Sequence, residues 1–158
     1  MKILVDADSC PAGARSLVLR AAARTGTRAV FAANRVIPGV TEGGGEMLLC
    51  PAGEGAADDR LTALAEAGDL AVTRDVALAA RFLEAGAAAV DDRGRIYTAD
   101  TIRERLSLRN FTVALAESGH DFERSPAYGK RELKAFAGGF DKLLSRLLKA
   151  PPLARVTG

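Results

Sequence analysis

The chain has no tryptophan, one histidine and two cysteines, and aromatic residues fill only 5% of its 158 positions. Platforms for stacking nucleic-acid bases are therefore scarce. The single histidine, His120, sits in a polar stretch between Gly119 and Asp121, so a Ser-His-Asp triad has no obvious base. Cys10 and Cys50 are far apart and form no CxxC pair, which argues against a disulfide framework or a zinc site. A helix amino terminus would activate Cys10, but the acids beside it oppose that, and packing is the expected role. No apolar segment approaches the roughly 20 residues of a membrane span, and the amino end is too polar for a signal peptide, so a cytosolic protein is expected. There is neither a P-loop nor a GxGxxG, and no internal repeat of the solenoid kind.

What is present is a chain 48% hydrophobic, enough for a single domain over residues 1–150 with a frayed tail at 151–158. Strand and helix signals alternate. Residues 3–5 form an apolar run before helix 11–25, which stops at Gly26; Ser9 or Cys10 ahead of Pro11 fits an N-cap. Strand 28–33 leads into a turn-rich connection, 34–45, whose closing glycines could form an anion nest, a flap or simply a flexible loop. Strand 46–50, helix 57–67, strand 70–73, helix 76–85 and strand 87–90 follow. Thr98 can cap a further helix running to residue 118, with a break available at Asn110. An exposed loop at 119–129 and an amphipathic helix at 130–149 complete the chain. Repeated strand-then-helix units predict an α/β fold, with a mostly parallel central sheet and helices on both faces.

Carboxylates recur where these strands end or these helices begin: Asp6 and Asp8, Asp58 and Asp59, Asp75, and Asp91 and Asp92. One such acid is commonly only a helix cap. Several converging on one sheet edge repel by about 4 kcal/mol per pair at 4 Å and an effective dielectric of 20, so some must protonate or a cation must join them. An all-oxygen set selects Mg²⁺ or Mn²⁺ over zinc. Charge is also divided: residues 1–92 hold 9 Lys and Arg against 13 Asp and Glu, whereas residues 93–158 hold 13 against 7. An acidic half able to hold a cation thus adjoins a basic half able to hold phosphates. Arg105 and Arg109, four apart, share a helix face and could clamp a phosphate together or pair structurally with acids.

At KILVDADSCP, AGEGAADDRL, AGDLAVTRDVALAARFLEAGAAAVDDRGRIYT and TIRERLSLRNF, the chain closely resembles the bacterial YaiI/YqxD family, from about Ile3 to the last helix. That family looks like a distant relative of PIN and NYN domain nucleases. The resemblance implies a Rossmann-like, three-layer PIN-like domain and a metal-dependent ribonuclease site. By position it implies Asp6, Asp58, Asp75 and Asp91 as metal acids, the last often Asn in the family, with Asp6, Asp8 and Asp75 catalytic. Asp8, Cys10 and Pro11 match the family's DADxCP signature. Gly55 stands where relatives often carry an acid, Ala77 replaces a proline, and Arg15 replaces a lysine. Arg15, Arg105 and Arg109 are the candidate phosphate ligands.

The expectation is a nuclease acting on RNA, with metal-activated water attacking a phosphodiester. A non-catalytic nucleic-acid-binding module is the alternative, its acids serving as caps. A DxD phosphatase is less favoured, because that chemistry wants a lysine and there is none between Lys2 and Lys130.

Overall fold

The computed structural model describes residues 1–53, 55–119 and 127–150. His120 and the tail at 151–158 lie outside the described residues. Six strands make one sheet: β1 (Lys2–Asp6), β2 (Arg28–Ala33), β3 (Glu46–Leu49), β4 (Leu70–Val72), β5 (Ala88–Val90) and β6 (Ile96–Tyr97). Their order is β3-β2-β1-β4-β5-β6. All neighbours are parallel except the β5–β6 pair. The helices are α1 (Ala12–Thr25), α2 (Ala56–Leu64), α3 (Val76–Glu84), α4 (Ala99–Glu117) and α5 (Lys130–Lys149).

β1 holds the centre because its side chains are apolar on both faces, as a strand covered from both sides requires. Ile3, Leu4 and Val5 are wholly buried. Ile3 and Val5 join Val18 of α1 and Phe136, Phe140 and Leu144 of α5 in one core. Leu4 points the other way, into a second core with Leu61 of α2 and Leu78 and Phe82 of α3. The result is the expected three-layer, Rossmann-like α/β architecture.

From β1 the chain moves outward through β2 and β3, then crosses back to β4 on the other side of β1. The direction of winding therefore reverses between β1 and β4, and ligands of open α/β sheets bind at the strands' carboxyl ends beside such a reversal. At the opposite, amino-terminal edge Lys2 is buried against Asp69, Nζ to Oδ2 at 2.7 Å, while the Lys2 amide donates to Asp69 Oδ1.

Three local features depart from the sequence pattern. α4 runs unbroken past Asn110. The 34–45 connection is packed rather than loose, since Ile37 and Val40 are buried. The amides of Gly43, Gly44 and Gly45 are spent on the carbonyls of Gly39, Thr41 and Val40, so they form no anion nest. A Cβ on Gly45 would meet Leu19 at 2.7 Å and the Phe31 ring at 3.1 Å, which requires glycine there. Finally β6, two residues long, was not expected at all; it turns back on β5 and carries Tyr97.

Candidate acidic cleft at the sheet's carboxyl edge

Asp6 is the last residue of β1, and the chain leaves it through a single 3₁₀ turn, Ala7–Ser9. That turn returns the Ser9 hydroxyl to Asp6 Oδ2 at 3.0 Å. Ser9 is thus occupied with Asp6 and does not cap α1, whose N-cap position is Pro11 with no side-chain cap. From neighbouring β4, Thr73 Oγ1 also donates to Asp6 Oδ2 at 3.0 Å. Thr73 Oγ1 in turn accepts the Asp75 amide at 3.0 Å. Asp75 then caps α3, its Oδ1 accepting from the amides of Ala77 and Leu78 at 3.0 and 3.2 Å. Asp58 enters from the first turn of α2.

These acids feel one another. Burial pushes the Asp6 carboxyl above its usual range, and the charges of Asp75 and Asp8 add to this against the two hydroxyl donors. Burial likewise raises Asp58, assisted first by the charge of Asp6 and then by that of Asp75. Asp6, Asp58 and Asp75 therefore interact from the tip of a strand and the starts of two helices. Asp8 is exposed and accepts the Asn34 amide at 3.3 Å.

A shallow cleft at this point is lined by Asp6, Ser9, Cys10, Val72, Thr73, Arg74 and Asp92. Cys10 is buried, and burial pushes its thiol up to about 12, so it is an inert packing residue, as its setting suggested. Arg74 is exposed at the cleft. Asp92 lines it and is raised by burial and then by the charge of Asp91.

Asp58, Asp75 and Asp91 do not line this cleft, and Asp91 has a saturated setting of its own. It is 1% exposed. Its Oδ1 accepts the amides of Arg93 and Arg95, both at 2.9 Å. Its Oδ2 accepts from Arg95 Nε at 2.9 Å and from Arg105 at 3.2 Å. Arg105 is thereby joined to Asp91, with its guanidinium 4.1 Å from the centre of the Tyr97 ring. Arg15 donates to the Cys10 carbonyl at 2.6 Å, and Arg109 to Asn110 Oδ1 at 3.2 Å.

Among the described residues no three His, Cys, Asp or Glu side chains form a ready-made metal cage. The donor chemistry still suits a hard cation, because Mg²⁺ commonly keeps its waters and takes only one or two carboxylates together with a substrate phosphate.

Sequence reasoning missed Thr73, Arg74 and Tyr97, took Ser9 for a cap of α1, and named Asp92 only among the strand-end carboxylates while choosing Asp91 for the metal. For Thr73 there was a signal: a hydroxyl residue at a strand end, two before an acid that opens a helix, is a standard way to organise such a turn.

Fold and cleft together define a doubly wound α/β protein with an acidic site at the reversal of its sheet. The chain belongs to the YaiI/YqxD family, whose profile, described as "Uncharacterized BCR, YaiI/YqxD family", matches residues 4–146. It is 45% identical over 149 residues to a UPF0178 protein of Treponema pallidum, covering 94% of this chain and 84% of that one. It is 43% identical over 150 residues to a UPF0178 protein of Xanthomonas oryzae pv. oryzae, covering 95% and 93%. A UPF0178 protein of Syntrophotalea carbinolica shares 40% over 146 residues, covering 92% and 99%. No solved structure matches the chain. Among the described residues no helix is long and apolar enough to cross a membrane.

Proposed function

We propose that the chain is a divalent-metal-dependent nuclease acting on RNA, with Asp6, Asp58 and Asp75 as its acidic centre and Mg²⁺ or Mn²⁺ as its cofactor. The observation that carries this reading is the arrival of three carboxylates from three elements: Asp6 at the tip of β1, Asp58 in the first turn of α2 and Asp75 at the N-cap of α3, near enough that the charges of Asp6 and Asp75 help burial to raise Asp58. Fixed like charges that destabilise one another are relieved by a cation. A bound cation supplies water of lowered pKa and neutralises charge on phosphoryl oxygens. Asp6 takes both hydroxyl donors on one oxygen, which leaves its other oxygen for the ligand. Arg74, exposed beside it, is placed to receive a phosphate of the strand. Asp91, whose oxygens already serve four donors, belongs to the framework in this reading.

The test is thermal stability with and without millimolar Mn²⁺, in the parent and in Asp6→Asn with Asp75→Asn, followed by cleavage of single-stranded RNA. Asn can still cap α3, so the fold is kept. A metal-dependent rise confined to the parent, with cleavage that follows it, is the expected result, because a ligand of the native state alone must stabilise it. No rise, or an equal rise in both, together with salt-sensitive RNA retention, would leave a binding module as the better account.

A further inference from the structure

We propose that Tyr97 is a positioning residue for the acidic cleft, acting from β6 through the Thr73 carbonyl on the hydroxyl that joins Asp6 to Asp75. This rests on the reading of the cleft given above.

Tyr97 is 2% exposed, and its hydroxyl donates to the Thr73 carbonyl at 3.0 Å. The Thr73 amide donates to the Val90 carbonyl of β5 at 3.1 Å. Thr73 follows the last residue of β4, and its amide makes the final bond of the β4–β5 pairing, so this bond and the one from Tyr97 hold the peptide groups on either side of its side chain. Its side chain then has one arrangement. A hydroxyl carries a single proton; since Oγ1 accepts the Asp75 amide, that proton goes to Asp6 Oδ2. Ser9 donates to the same Oδ2. Both donors converge on one oxygen, and Oδ1 is the oxygen presented to a ligand. Rotation of Thr73 would withdraw one of the two donors from Asp6 and free the Asp75 amide at the same time.

Tyr97 is itself clamped. Its strand pairs with β5 at Ala89, and Arg105 from α4 covers its ring while bonded to Asp91. The phenol proton remains in place at neutral pH, since burial pushes its pKa up to about 12. A buried tyrosine needs some acceptor for its hydroxyl; here the acceptor is the residue whose side chain orders two of the three acids.

The test compares Tyr97→Phe, which keeps the ring under Arg105, with Thr73→Val, Thr73→Ser and the Tyr97→Phe/Thr73→Val pair. Amide exchange at Asp75 is read by NMR with the β1 amide of Val5 as reference, and Mn²⁺ affinity by titration of the metal alone. In Tyr97→Phe, Asp75 exchange is expected to quicken about fivefold relative to Val5, the scale of one hydrogen bond. Mn²⁺ half-saturation is expected to rise about threefold or more. Tyr97→Phe should add nothing to Mn²⁺ affinity once Thr73 is valine, whereas Thr73→Ser should stay near the parent. Asp75 and Val5 amides quickening together, no change at either, or additive losses of Mn²⁺ affinity would overturn the proposal and leave Tyr97 as packing. If the parent binds no Mn²⁺ but the selective exchange effect persists, the positioning role stands and the metal-dependent reading of the cleft falls.

Discussion

Asp6 and Asp91 occupy equivalent places, at the carboxyl ends of parallel strands in one sheet, yet their surroundings are opposite. Asp91 is saturated by two backbone amides and two arginines. Asp6 has two neutral hydroxyls on one oxygen and other acids nearby. The difference separates an acid that supports the fold from an acid the fold must tolerate. A charge fully met by donors is structural, because removing it strands those donors. A charge met only by neutral groups and like charges is held at some cost in stability, and such sites are where ligands bind.

The contrast can be tested first by removing each carboxylate. Asp91→Ala leaves Arg105 and two turn amides without their acceptor, and should lower stability by about 3 kcal/mol in urea unfolding. Asp6→Ala should cost less than about 1 kcal/mol. Comparable losses would erase the distinction.

The Asp91 turn is also pressed against α5. A Cβ on Gly139 would strike the Gly94 carbonyl, and one on Gly94 would strike the Ala135 carbonyl. Gly139→Ala should therefore cost about 2 kcal/mol in the same assay, while leaving Mn²⁺ affinity at the cleft within about twofold once folded.

The smallest effect concerns pH. Because the Asp6 carboxyl is raised in the folded state above its ordinary value of 3.8, the native chain binds more protons than the unfolded one in the window just above 3.8. Stability then falls as pH rises through that window, and the penalty persists at neutrality. Asp6→Asn removes it, and should raise the metal-free melting temperature at pH 7 by roughly 2 °C, with the gain shrinking toward pH 4. A lower melting temperature at pH 7 would show that Asp6 supports the fold as Asp91 does.

Much of this was readable in the chain. Apolar runs ending in acids marked β1, β4 and β5, and Gly26 marked the end of α1, where its φ is 66°. Asp75 could be placed at the start of α3, read there as a metal acid, and the structure shows that one of its oxygens caps the helix. The partition between Asp91 and Asp92 was not legible. It depends on a turn that folds Arg95 back and on Arg105 arriving from α4, contacts set by tertiary structure. β6 was missed because two residues carry no periodicity. Arg105 looked available for phosphate because an i, i+4 pair describes a helix face and says nothing of what lies opposite it.

The order of the strands has a consequence in time. β1 is made before either of its neighbours in the sheet. Its β2 neighbour follows closely, but Lys2 and Asp6 each wait 67 residues, for Asp69 and Thr73 respectively. Tyr97 comes 24 residues after Thr73. At about 5–20 residues per second the nascent β1 spends several seconds with one apolar edge unpaired. Conditions that slow elongation before β4 should therefore expose this strand to misassembly, and the cleft can form only after β5 and Asp92 have been made.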